Sequence, residues 1–275
     1  MTDTVRLTTP DGRTISFSEA NRFPVMAGPC LVESKESLVE VATELSRIQS
    51  ILPIDFIFKA SYRKANRTSG TSISGIGDEK ALSFLSEIKK EFSLPLVSDI
   101  HLPSEANFAA EVCDILQIPA FLSRQSDLLE AAAETGKIIN IKKAQFMSPR
   151  DMKFAKEKVT NKGNDQVLLT ERGTSFGYGD LIVDFRSIEI MREFGSPIIY
   201  DATHSVQQPS QNGVSGGQRQ FIAPLARAAM AVGIDGLFIE THPDPSKAKS
   251  DAESQLPLGE LESLLRSLLK FRQTK

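Results

Sequence analysis

A (β/α)8 TIM barrel preceded by a short N-terminal β-hairpin is the fold this sequence predicts, and three observations predict it. Short runs of continuous apolar or β-branched residues recur eight times, each followed by a polar loop and a stretch with helical periodicity. The eight repeats occupy about 250 residues, the usual size of such a barrel. No Gly-rich dinucleotide fingerprint follows the first run, which disfavours an open doubly wound sheet.

The elements follow in order. Val5 to Phe17 reads as two short alternating runs around Pro10-Asp11-Gly12, where Pro and Asp pre-set a turn and Gly takes a positive φ. Strands are expected at 24–27, 55–59, 96–100, 115–118, 138–141, 166–170, 197–200 and 236–239. Each is nearly continuous in apolar residues, as parallel strands covered on both faces are. Helices are expected at 36–50, 78–92, 104–112, 126–134, 150–159, 184–194, 219–232 and 258–271, with Ser104 after Pro103 as a start signal and Gly136, Gly195 and Gly233 as stops. No composition shift marks a second domain, so one barrel domain over 1–275 is expected, with 1–20 as the hairpin extension. Two Gly/Ser-rich loops, 62–77 and 205–218, are long enough to be lids or binding loops.

With 275 residues, 40% hydrophobic and 24% charged, the chain can bury roughly three quarters of its unfolded surface and needs no covalent staples. Two cysteines, at 30 and 113, make no disulfide framework and fit a reducing cytoplasm. The first 17 residues lack the apolar stretch of a signal peptide, and no run approaches the roughly 18 apolar residues of a membrane span. Against 35 acidic residues, 32 basic ones leave a net charge of −3, so neither nucleic acid nor a membrane is an expected partner.

In a barrel of this kind the chemistry sits where strands end and βα loops begin. Two sets of residues stand there. Lys59, Lys64, Arg67, Arg124, Lys142 and Arg172 would place six cations around one mouth, a crowding that more than one phosphate or carboxylate would relieve. The alternative is that some are solvated or paired with nearby Asp and Glu. Cys30, His204, Glu240 and Asp251 come from strands one, seven and eight, whose ends converge when the barrel closes. A mixed sulfur, nitrogen and oxygen set suits a divalent transition metal such as Zn, Fe, Mn or Co, and does not suit Ca or Mg. The alternative is a buried free cysteine beside a hydrogen-bonded histidine. Cys113, beside Val112 and Ile115, reads as core, and His101 and His242 as ligands or acid/base groups.

Lys59-Ala-Ser-Tyr-Arg-Lys-Ala-Asn-Arg67, Ser98-Asp-Ile-His101, Gln117-Ile-Pro-Ala-Phe-Leu-Ser-Arg-Gln125, Leu169-Thr-Glu-Arg-Gly173, Tyr200-Asp-Ala-Thr-His-Ser-Val206, Phe238-Ile-Glu-Thr-His-Pro-Asp244 and Ser250-Asp-Ala252 together resemble the 3-deoxy-D-manno-octulosonate 8-phosphate synthases. These are also called 2-dehydro-3-deoxyphosphooctonate aldolases. The resemblance runs from about residue 24 to the C-terminus. It implies condensation of phosphoenolpyruvate with D-arabinose 5-phosphate, in the cytoplasm, by a homotetramer supplying Kdo for lipopolysaccharide. By the same resemblance Lys64, Lys142 and Arg172, with Lys59 and Gln117 nearby, would hold phosphoenolpyruvate. Asn66, Arg67 and Thr68 would hold the pentose phosphate, helped by Arg124 from a neighbouring subunit. Lys59, Asp99 and His101 would be the catalytic proton handlers. Cys30, where the metal-independent members have Asn, implies the metal-dependent class. The chain departs from the family after Arg67, where Ile73 and Ser74 stand in place of an aromatic residue and an Arg. Rival readings are the related 3-deoxy-heptulosonate 7-phosphate synthases, which use erythrose 4-phosphate, and a metal-dependent hydrolase on the same barrel.

Overall fold

The computed structural model describes residues 5–18, 21–65, 74–211 and 214–272. Eight parallel strands close into a barrel: β1 (Phe23–Gly28), β2 (Ile54–Lys59), β3 (Leu96–Asp99), β4 (Ile115–Ile118), β5 (Ile138–Lys142), β6 (Val167–Glu171), β7 (Ile198–Asp201) and β8 (Gly236–His242). Each pairs with its chain neighbour, and β8 closes the ring on β1 with Leu237 opposite Val25 and Glu240 opposite Gly28. The helices are α1 (Lys35–Ile51), α2 (Asp78–Phe92), α3 (Ala106–Ala110), α4 (Ser126–Glu134), α5 (Met152–Thr160), α6 (Arg186–Arg192), α7 (Ile222–Val232) and α8 (Leu261–Leu269).

The period of two along each strand builds two cores. Val25, Phe56, Leu116, Ile139, Leu169, Tyr200 and Leu237 face outward into the cluster shared with the helices. Met26, Ile57, Val97, Ile115, Ile138, Leu168, Ile199 and Phe238 face inward. The N-terminal hairpin, Arg6–Thr8 against Thr14–Ser16, adds Val5, Leu7, Ile15 and Phe17 to that inner cluster. Phe17 approaches Gly236, the first residue of β8, so the hairpin covers the end of the barrel where strands begin. That end is thereby filled with apolar side chains, and the opposite mouth is left for polar ones.

Several boundaries differ from the sequence expectation. The helix expected at 104–112 is a 3-10 turn, Pro103–Glu105, followed by the five-residue α3, and the expected segments 150–159, 219–232 and 258–271 also open with 3-10 turns. The loop expected at 205–218 contains an antiparallel hairpin, Gln207–Gln211 with Val214–Gly217, and another hairpin, Thr174–Phe176 with Asp180–Ile182, follows β6. Their strands are short, and the hairpin after β6 turns only Leu181 inward, so neither carries a long apolar run. Gly28 at the end of β1 has φ +152°, and a Cβ there would overlap the Lys59 carbonyl, so only glycine lets the two strands approach at the mouth.

Candidate active site

Adding two residues to each inward apolar position moves one layer toward the mouth, and the side chains become polar. Ile57 gives Lys59, Val97 gives Asp99, Ile115 gives Gln117, Ile138 gives Asn140 and then Lys142, Leu168 gives Thr170 and then Arg172, Ile199 gives Asp201, and Phe238 gives Glu240. The same parity splits Lys142 from Lys143. Lys143 leaves the barrel and binds the Gly173 carbonyl and Thr174 Oγ1, each at 3.0 Å, behind Arg172.

A hydrogen-bond chain spans the interior. Gln117 Nε2 donates to Asp99 Oδ1 at 2.6 Å, Asn140 Nδ2 to Gln117 Oε1 at 2.9 Å, and Thr170 Oγ1 to Asn140 Oδ1 at 2.6 Å. Asp99 also accepts from Ser61 and, at 3.2 Å, from Lys64 Nζ. Burial would raise the Asp99 pKa, but Lys64, Lys59 and Lys142 hold its carboxyl well below the usual range, so it is a carboxylate that accepts hydrogen bonds from Ser61, Lys64 and Gln117.

The cations are sorted by partner. Lys59, fully buried, pairs with fully buried Glu240 and donates to the Cys30 carbonyl at 3.0 Å. Lys142 Nζ lies 2.7 Å from Asp201 Oδ2 and 3.6 Å from the Phe238 ring centre. Burial pulls the Lys142 pKa below the usual lysine value, opposed by Asp201. Arg172, 5% exposed, donates through Nη2 to Gln207 Oε1 at 3.0 Å, while its buried Nη1 has no hydrogen-bond partner. Of the six expected cations, Lys59, Lys64 and Lys142 face carboxylates, the paired alternative, while Arg172 keeps a buried donor without a partner. Arg124 is exposed on the loop after β4 and is not drawn into this layer. Asn66, Arg67 and Thr68 lie outside the described residues.

Three of the four expected metal ligands come together among the described residues, with His204 beside them. Cys30, Glu240 and Asp251 place ligand atoms within 4.8 Å of one another. Cys30 Sγ lies 3.0 Å from both Asp251 Oδ2 and Ser250 Oγ. His204 Nε2 stands 3.7 Å from Glu240 Oε1 and 3.9 Å from Asp251 Oδ2. Ligands around a tetrahedral metal at roughly 2.0–2.3 Å stand about 3.3–3.8 Å apart, close to these separations. Glu240 Oε2 is buried without any hydrogen-bond partner, a lone pair that a cation would satisfy. Burial would raise the Glu240 pKa, but Lys59, His204, Lys64 and Lys142 hold it at about 2. Burial, with the Asp251 and Glu240 carboxylates, pushes the Cys30 thiol well above its usual value, so thiolate formation there calls for a cation.

Sequence reasoning gave Asp201 no role, yet the structure makes it the pivot of the mouth. Its Oδ2 lies 2.8 Å from His204 Nδ1, and its Oδ1 accepts the His204 backbone N–H at 2.8 Å. Such a carboxylate fixes the histidine proton on Nδ1 and aims Nε2 at the metal position. Its signal was the spacing of three residues from His204 at a strand end. Cys113 is buried in the outer cluster, with burial raising its thiol to about 12.

His101 is buried against Glu105. Its backbone N–H donates to Glu105 Oε2 at 2.9 Å, but its Nδ1, 3.5 Å from the same oxygen, has no hydrogen-bond partner. Burial lowers its pKa from 6.5 to about 4. The unfolded chain therefore takes up a proton that the folded chain refuses as pH falls from about 6.5 to 4. Stability should fall across that window by about 3 kcal/mol from this group, a penalty absent above pH 6.5. Urea titrations of the parent and of His101→Gln check this: the variant should show the shallower acid slope, and equal slopes would refute the neutral histidine.

Among proteins of known sequence, the model of the DAHP synthetase I family matches residues 5–274. The 2-dehydro-3-deoxyphosphooctonate aldolase of Bartonella henselae is 51% identical over 258 residues, 94% of this chain and 92% of that one. That of Agrobacterium fabrum is 49% identical over 273 residues, 98% of this chain and 97% of that one. That of Syntrophotalea carbinolica is 50% identical over 256 residues, 93% and 92% of the two chains. With a closed barrel, a polar mouth and a match over nearly its whole length, the chain belongs to the DAHP synthetase I family.

Proposed function

We propose that this chain is a 3-deoxy-8-phosphooctulonate synthase. It joins phosphoenolpyruvate, D-arabinose 5-phosphate and water into 3-deoxy-D-manno-octulosonate 8-phosphate and inorganic phosphate. The reading is carried by the near-complete coverage of the chain by relatives named 2-dehydro-3-deoxyphosphooctonate aldolase. The buried, unpartnered Nη1 of Arg172, whose position just past β6 continues the inward face of the barrel, supports an anionic substrate at the mouth.

In this reading Lys64, Lys142 and Arg172 bind phosphoenolpyruvate, with Gln117 at its side. Asn66, Arg67 and Thr68 bind the pentose phosphate. C3 of phosphoenolpyruvate bonds to the aldehyde carbon, water adds at C2, and the C2–O bond to phosphate breaks. In the same reading Asp99 and His101 handle the proton given up by the water, and Lys59 returns one to the new alkoxide. Cys30, His204, Glu240 and Asp251 would hold one divalent ion (Zn, Fe, Mn or Co), which when bound supplies Lewis acidity and a template for orientation. Leu102, Phe121 and Phe146, each more than half exposed in loops after strands β3, β4 and β5, support association between subunits; the homotetramer, with Arg124 reaching a neighbouring site, is carried by the likeness to the synthases alone. We place the enzyme in the cytoplasm, in Kdo and lipopolysaccharide biosynthesis, as a single barrel domain over 1–275. No helix of the described residues is long and apolar enough to cross a membrane.

The family description favours one second reading, a heptulosonate 7-phosphate synthase. Phosphate release measured with phosphoenolpyruvate and each aldose separates the two. Arabinose 5-phosphate should be the faster substrate; preference for erythrose 4-phosphate would replace the first reading by the second. Dialysis against a chelator should abolish release and a divalent ion restore it, whereas full activity in chelator would rule out the metal.

A further inference from the structure

We propose that Glu33 is a positioning residue that fixes Asp251 in the metal-binding arrangement. The inference rests on the metal reading above. Glu33 follows Cys30 by three residues in the loop after β1, and its side chain is only 13% exposed. Its Oε1 accepts the backbone N–H of Lys249 at 2.8 Å, two residues before Asp251. The same oxygen faces His242 Nε2 at 4.0 Å. His242 Nδ1 accepts the Asp244 N–H at 3.1 Å, so the neutral ring carries its proton on Nε2, the side turned toward Glu33. His242 is thereby spent on the loop rather than on the metal.

Asp251 needs such a brace. It has φ +50°, one of two non-glycine residues of positive φ among the described residues, and that conformation persists only where its surroundings impose it. On its C-terminal side, the Asp251 carbonyl accepts N–H groups of Ser254 and Gln255, both at 3.1 Å. On its N-terminal side, Glu33 holds the Lys249 peptide. The 30–33 loop thus grips the 249–251 segment twice, through Cys30 Sγ at Ser250 and Asp251 and through Glu33 at Lys249.

The test is metal affinity, read by competition with a chromophoric chelator and by the thiolate absorption band of the cobalt-loaded full-length protein. Glu33→Ala should weaken binding about 10- to 100-fold, the usual effect of losing an outer-shell partner. Glu33→Gln, which keeps an acceptor for the Lys249 N–H, should bind close to the parent. Cys30→Ser serves as the control that loses the cobalt band. Parent-like affinity in Glu33→Ala, or Gln as weak as Ala, overturns the positioning role. A parent protein that shows no thiolate band overturns the metal reading, and this inference with it.

Discussion

Lys59→Met should lose roughly 3–5 kcal/mol of stability in chelator and, assayed with metal, nearly all turnover, whereas Lys59→Met with Glu240→Gln should regain most of the stability and none of the turnover. Lys59 and Glu240 are both fully buried and paired with each other. Removing one member of such a pair leaves a charge in low dielectric, which is the costly change; replacing both with neutral groups of similar volume is tolerated. Against a total of about 5–15 kcal/mol for a folded protein, the single substitution is severe. Glu240, held at about 2 chiefly against burial by Lys59, would take up a proton far more readily. Because Glu240 Oε2 has no partner, a divalent ion should partly rescue the single variant and leave the double variant less affected. Turnover fails in both, since neither retains an amine to protonate the alkoxide, a contribution of roughly 10²- to 10⁴-fold. Urea unfolding with and without metal, beside phosphate release, measures all of this. A single variant as stable as the parent in chelator would show that the pair is not what neutralises Glu240.

The same pair shows what the sequence could reveal. Lys59 and Glu240 stand at strand ends and were legible as chemistry-bearing residues, because eight apolar runs announce where strands stop. Their pairing was not legible, since it arises only when β8 closes on β1 and brings positions 181 apart in sequence into contact. Counting charges therefore left open which cations are paired, and passed over Asp201, whose partners lie on other strands or beyond its own. The dyad Lys142-Lys143 was separable in principle, because adjacent residues on a strand face opposite sides. The hairpins at 174–182 and 207–217 left no such trace: their strands are three to five residues long and carry no long apolar run. Glu33 was silent for a similar reason, as its carboxylate serves a backbone N–H, and any side chain can follow that peptide nitrogen.

Asp201→Asn should lower kcat by about 10²- to 10⁴-fold and weaken metal binding about 10- to 100-fold while the barrel stays folded. Asp201 receives five contacts: Lys142 Nζ at 2.7 Å, His204 Nδ1 at 2.8 Å, Thr203 N at 3.1 Å, Thr203 Oγ1 at 3.2 Å and His204 N at 2.8 Å. The three on Oδ1 fix which oxygen of the replacement amide stays there, because two backbone N–H groups and a hydroxyl require an acceptor. The amide nitrogen must then take the Oδ2 position, where it meets two donors. His204 can relieve that clash only by moving its proton to Nε2, and Nε2 is the atom aimed at Glu240 and Asp251. The variant thus turns the one atom meant to ligate a metal into a donor, and at the same time leaves Lys142 without its carboxylate. In a hydrolytic triad the same exchange of a buried Asp for Asn traps the wrong histidine tautomer and costs roughly 10⁴-fold. Nitrogen chemical shifts of the His204 ring in parent and variant read the tautomer directly, and chelator competition reads the affinity. If the Asp201→Asn exchange left both the tautomer and the affinity unchanged, Asp201 would be a partner of Lys142 alone, and the aim of His204 would have to come from its packing on Phe238, whose ring lies 5.7 Å away.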